Sequence, residues 1–184
     1  TTNPRQATNA SMTPLQPGNA QLWWWTFPAS LAEAPQRSCW VWARVRSCLA
    51  GYAAIDEREL LIRRSANGKP EAPQLSLSFS LSHDDEVAVL AVAAVGQLGV
   101  DVMSDRPFVD PRRLARRLYS APELAQWQGC DRAQQLQQLR ARFCATEAVV
   151  KALDWRLWPA LGGIHVLRQG RIARVPLKRD RKST

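Results

Sequence analysis

The run Leu75 to Leu81, L-S-L-S-F-S-L, alternates apolar and hydroxyl residues without a break. Period two puts every apolar side chain on one face of an extended chain, so this run predicts a half-buried strand. Glu86 to Val95 (EVAVLAVAAV) is almost uniformly apolar and predicts a strand buried on both faces. Gly96-Gln97 turns the chain into Leu98 to Met103 (LGVDVM), expected as a third strand, so that short links give an antiparallel meander. Upstream, Gln21 to Phe27 (QLWWWTF) reads as a strand and Leu60 to Arg63 as a shorter one. Ala34 to Tyr52 reads as a helix with Trp40, Val41, Val45, Cys48 and Leu49 on its apolar stripe. Asn67-Gly68-Lys69-Pro70 is a turn, since Asn-Gly tolerates positive φ and proline stops a helix.

The second half of the chain is marked by helix signals. Asp110 before Pro111 starts a basic helix running to Tyr119. Ser120, followed three residues later by Glu123, has the form of a capping box. Asp131 to Leu153 is one long helix, and Gly162-Gly163 breaks the pattern further on. Ile164 to Leu167 and Arg171 to Val175 are expected to form a hairpin around Gln169-Gly170. Helix, meander, helix and hairpin make an α+β layout. Thr1 to Asn19 is polar and proline-containing and is expected to be disordered, and Leu177 to Thr184 is a loose basic tail.

With 184 residues and 46% apolar composition, the chain suits one domain or two small packed halves. Its net charge of +9 favours a polyanionic partner: nucleic acid, an acidic protein or a phosphorylated small molecule. The four cysteines form no C-x-x-C pair and have no histidine at zinc-site spacing, so they read as reduced thiols of a cytosolic protein. No apolar run approaches the roughly 20 residues of a membrane-spanning helix, and the N-terminus has no signal-peptide pattern.

Four pieces carry chemistry. Lys69, fixed on the Gly68-Lys69-Pro70 turn, can contact a phosphate. Ser82-His83 ends the alternating strand; neighbours there point to opposite sides, so anion binding suits them better than a nucleophile–base pair. Asp101 is an acid within an apolar strand, and a buried carboxylate implies a cation, either a metal or an arginine. Glu147 and Lys151 stand four apart on the long helix and share a face, with Phe143 one turn earlier on it. Cys144, Ala148, Val149 and Val150 are expected to pack on the opposite side. Alone, the Glu147–Lys151 pair is an ordinary surface ion pair, but oxygen ligands from Asp101 and Glu147 suit Mg²⁺.

In order, G-K-P, F-S-L-S-H, G-V-D-V, Tyr-Ser-x-x-Glu (Tyr119 to Glu123) and F-x-x-x-E-A-x-x-K-A resemble a phosphopantetheinyl transferase of the surfactin-synthetase-activating type. The likeness runs from about Arg46 to Ala152. It implies two similar α+β halves related by a pseudo-twofold axis, here 20–96 and 97–176, with the active site at their junction. It implies a monomeric, cytoplasmic enzyme that moves the 4'-phosphopantetheine arm of coenzyme A to a serine of an apo carrier protein, releasing 3',5'-ADP. The same resemblance assigns Asp101 and Glu147 to Mg²⁺, Glu147 to serine deprotonation and Lys151 to the diphosphate. It assigns Lys69, Ser82 and His83 to the phosphates of coenzyme A, with Arg46 and Arg37 near its basic contacts. Carrier proteins of this kind are commonly acidic, and the Arg-rich helix Pro111 to Tyr119 can dock an acidic helix.

Three positions depart from the pattern. Met103 stands where a second acid is usual, leaving a water, Asp84, Asp85 or Asp105 to replace it. Thr146 replaces the lysine before the helix glutamate. Leu153 to Trp158 (LDWRLW) replaces a glycine-containing turn. The alternatives are a non-catalytic coenzyme-A-binding homologue and a basic nucleic-acid-binding protein. Against the latter, no nucleic-acid motif is present.

Overall fold

The computed structural model describes residues 5–6, 15, 18–31, 33–161 and 164. The elements in chain order are β1 (Arg5–Gln6), β2 (Ala20–Thr26), α1 (Ala34–Ala53), β3 (Arg63–Arg64), β4 (Pro70–Glu71), β5 (Ser78–His83), β6 (Val87–Ala93), α2 (Pro111–Leu118), α3 (Ala121–Gln128), α4 (Arg132–Leu153) and α5 (Leu157–Ala160). The expected hairpin after Gly162-Gly163, the C-terminal tail and most of the N-terminal tail lie outside the described residues. The mixed α+β composition is as the sequence predicts.

β1, β2, β6 and β5 form one sheet in that order, with β1 parallel to β2 and the other pairs antiparallel. β6 is central, which explains its uniformly apolar sequence. Alternation then sorts the faces. Trp23 and Trp25 of β2, Phe79 of β5, and Ala88, Leu90 and Val92 of β6 pack against Val41, Val45, Cys48 and Leu49 of α1. A second core gathers Ala115, Leu118, Trp127, Leu139 and Leu161 from the helical half. Among the described residues, no helix is long and apolar enough to cross a membrane.

The expected third strand, 98–103, does not form. That segment crosses the hydroxyl-bearing side of β5 instead of pairing with its edge. Ser80 Oγ accepts from Val100 N at 3.0 Å and Ser82 Oγ accepts from Val102 N at 3.3 Å. Serine hydroxyls thus take the place of a backbone ladder, which periodicity alone does not reveal. β5 also begins later than the alternation suggests. Leu75 and Leu77 pack against the core from the preceding loop.

The helix ends follow their capping signals. Asp110 Oδ1 accepts from Arg113 N and Asp131 Oδ1 accepts from Gln134 N, both at 2.9 Å. Glu123 Oε2 accepts from Ser120 N at 2.8 Å, the predicted return bond of the capping box. Gly99 is fixed by packing: a Cβ there would sit 1.8 Å from Ala148 O and 2.6 Å from Ala152 N. The segment therefore lies directly on the backbone of α4, which brings Asp101 to that helix.

Candidate active site

A cleft of about 550 Å³ opens where β5, the 98–103 segment, the C-terminal half of α4 and the 67–70 turn meet. Lys69, Ser82, His83, Asp101, Glu147 and Lys151 all line it. At its centre Lys151 Nζ lies 2.7 Å from Asp101 Oδ1, with the Asp101 side chain only 5% exposed. The Ser82 hydroxyl donates to the same Asp101 oxygen at 2.7 Å and accepts from Lys151 Nζ at 3.0 Å. Lys151 Nζ is also 3.9 Å from Glu147 Oε1. The contacts of Ser82 thus go to the acid–lysine pair. His83, next in sequence, lines the cleft and packs edge-on against Phe27, with ring centroids 6.4 Å apart.

The electrostatics follow from crowding of acids around a half-buried lysine. Burial pushes the Glu147 carboxyl above its ordinary range, the nearby Asp101 charge raises it further, and Lys151 opposes both. Cys144 also lies beside Asp101. Burial and then the Asp101 carboxylate push its thiol up to about 12, so it stays protonated at neutral pH. This corrects the expected packing side for Cys144. Val150 lines the cleft too, whereas Phe143 turns away into the second core. The site stripe of α4 is 147, 150 and 151, a spacing of i, i+3, i+4 that is legible in sequence once Asp101 is known to face it, and Asp154 lines the cleft just past the helix end.

Lys69 reaches the far wall. Its ammonium donates to Leu98 O at 3.2 Å and to Ala152 O at 3.3 Å, near the C-terminal end of α4. Burial lowers its pKa, while the charges of Asp154 and Glu71 resist that shift. Arg46 is not brought into the cleft. It donates to Leu60 O at 2.8 Å and Glu57 O at 3.3 Å, and lines an adjoining hollow of about 250 Å³ that shares Trp42, Arg64 and Pro70 with the cleft. Arg37 pairs with Asp85 at 3.3 Å.

Of the acids able to replace the one absent at Met103, Asp84 lines the cleft, as does Met103 itself. Asp85 is engaged by Arg37 and Arg106, and Asp105 is 97% exposed and paired with Arg140 at 3.1 Å. Trp42 and Trp155 supply aromatic wall, and Asp154 a further carboxylate. None of these three carries a sequence signal of its own.

The fold and the cleft define an α+β protein with a buried aspartate paired to a half-buried lysine at the centre of the cleft. The family model of the 4'-phosphopantetheinyl transferase superfamily matches residues 97–183. The chain is 28% identical over 149 residues to the 4'-phosphopantetheinyl transferase AcpT of Escherichia coli strain K12, covering 80% of this chain and 70% of that protein. It is 32% identical over 79 residues to the 4'-phosphopantetheinyl transferase HetI of Nostoc sp. strain PCC 7120, covering 41% of this chain and 33% of that protein. Over these regions the chain is similar to 4'-phosphopantetheinyl transferases, and the matches support its being an enzyme.

Proposed function

We propose that this chain transfers the 4'-phosphopantetheine arm of coenzyme A to the serine hydroxyl of an apo carrier protein. The observation that carries the reading is the convergence of Asp101, Glu147 and Lys151, distant in sequence, on one cleft that Lys69 also lines. In the reaction the serine oxygen attacks the phosphorus that bears the pantetheine arm. A new P–O bond forms, the bond to the nucleotide breaks, and 3',5'-ADP leaves with the electron pair. Glu147 takes the serine proton; its raised pKa makes it a better base than an ordinary carboxylate. Lys151 faces the charge that builds on the diphosphate, and Lys69 holds the donor's phosphates at the far wall. Catalysis rests on positioning and charge neutralisation.

Asp101 and Glu147 fit one hard divalent cation. Burial chiefly, and then the Asp101 charge, raise the Glu147 pKa, so a cation beside the two acids would relieve both effects, and carboxylate oxygens suit Mg²⁺. Among the described residues no group of three or more His, Cys, Asp or Glu side chains comes together to hold a metal. Asp101 and Glu147 would be the residues that hold the ion. When bound, the ion neutralises the diphosphate.

We further propose that the chain is of the surfactin-synthetase-activating subtype, built of two pseudo-symmetric halves at 20–96 and 97–176, and works as a cytoplasmic monomer. The net charge of +9 supports an acidic carrier as acceptor. Met103 on the cleft wall favours one second reading, a homologue that binds coenzyme A without transfer. One experiment separates the two: the chain is mixed with coenzyme A, Mg²⁺ and a panel of apo carriers, and carrier mass is read. Transfer by the wild type, lost by about 10²–10⁴-fold in Glu147→Gln with the fold intact, supports the enzyme. Nucleotide binding without any carrier mass change supports the second reading.

A further inference from the structure

Asp154 follows α4 directly and adopts the left-handed conformation, with φ 52° and ψ 47°. It is one of two non-glycine residues with positive φ among those described. Such a conformation is uncommon outside glycine and persists where surrounding contacts hold it. Those contacts come from a turn nearly ninety residues away. Ser65 Oγ donates to Asp154 Oδ1 at 2.8 Å, and Asn67 Nδ2 donates to Asp154 O at 2.7 Å. With its proton on Asp154, the Ser65 hydroxyl accepts from Lys69 N at 3.0 Å and from Asn67 N at 3.3 Å. The turn is closed further by Ser65 N donating to Lys69 O at 2.8 Å. Gly68 completes it with φ +93°, open to glycine without strain.

We infer that Asp154 is a positioning residue that latches the 65–69 turn onto the end of α4 and so fixes Lys69 in the cleft. The hydrogen-bond chain runs Asp154, Ser65, Lys69 backbone, and the Lys69 ammonium then returns to Ala152 O, two residues before Asp154. The loop is closed at both ends on the same helix terminus. Two of the three ammonium N–H groups are accounted for by Leu98 O and Ala152 O, and the third is the one a phosphate in the cleft can take. Without the Asp154 carboxylate, Ser65 can turn its proton elsewhere, and the backbone of the turn is tied to the end of α4 by Asn67 alone, with the Lys69 ammonium as the side-chain tie.

The inference rests on the proposed coenzyme A site for its binding arm but not for its structural arm. Asp154→Gly removes the carboxylate and relieves the left-handed strain, so lost stability cannot mimic a lost latch. Asp154→Asn keeps an oxygen acceptor and tolerates the same backbone. The structural arm is amide hydrogen exchange at Asn67 and Lys69. Exchange is expected to rise about tenfold in Asp154→Gly, the effect of one hydrogen bond to a charged group, and to return near wild type in Asp154→Asn. The binding arm is the KM for coenzyme A, expected to rise about five- to tenfold in Asp154→Gly with kcat within about twofold. Unchanged exchange in Asp154→Gly overturns the latch. Faster exchange with unchanged KM overturns the positioning of Lys69. A wild-type chain that binds no coenzyme A by calorimetry overturns the proposed function and the positioning role together, while exchange still decides the latch.

Discussion

Lys151 Nζ meets Asp101 Oδ1 at 2.7 Å across fifty positions of sequence, and the pair excludes most solvent from the acid. A divalent cation drawn to Asp101 and Glu147 must share that carboxylate with the lysine. In Lys151→Met, a nearly buried acid loses its partner, and stability should fall by about 1–3 kcal/mol. Added Mg²⁺ should then raise the melting temperature of the variant more than that of the wild type, because the ion no longer competes with an ammonium. Equal responses to Mg²⁺ in the two proteins would show that ion and lysine have no common claim on Asp101.

Gly99 sets the distance between the 98–103 segment and α4. The Cβ of Gly99→Ala would fall 1.8 Å from Ala148 O, which is helix backbone and cannot rotate away. The segment must lift, at a cost of about 2–3 kcal/mol in denaturant unfolding. Because Asp101 follows two residues later, transfer should drop even under conditions where the variant stays folded. Wild-type stability in Gly99→Ala would contradict the close approach.

Met103 lies two residues beyond Asp101, and both line the cleft. Met103→Glu offers the cation a third carboxylate. Its Mg²⁺ dissociation constant, read by calorimetry, is expected to fall on the order of tenfold. No gain in affinity would mean that position 103 does not face the ion.

Lys69 has its pKa lowered, chiefly by burial. The ammonium is charged at low pH and loses its proton as pH rises through a value below the ordinary lysine range. Affinity for the polyanionic donor should therefore weaken on the alkaline side earlier than a solvated lysine would dictate. In Lys69→Arg that limb of the pH profile for kcat/KM should move to higher pH, since guanidinium keeps its charge. A limb that stays in place belongs to another group.

Much of this arrangement was legible in the sequence because it is local. Alternation around Phe79 placed one face of β5 on the core, and the apolar run around Leu90 placed β6 at the sheet centre. Asp110, Ser120 and Asp131 announced three helix starts, each confirmed within a residue. The expected strand at 98–103 failed because period two is also satisfied by a chain held to serine hydroxyls. Cys144 was assigned to the wrong side because one helical stripe cannot report which neighbour will cover it.

By itself, the sequence determined which segments are helix or strand, which faces are apolar, and that an acid at 101 needs a cation. Those follow from short-range sterics and from the cost of burying charge. Only the tertiary structure decided which cation it is among the described residues: Lys151, held there by the glycine-close crossing of 98–103 over α4. It alone also joined Ser65 to Asp154, because contacts across tens of residues are set by how layers pack, which no local pattern encodes.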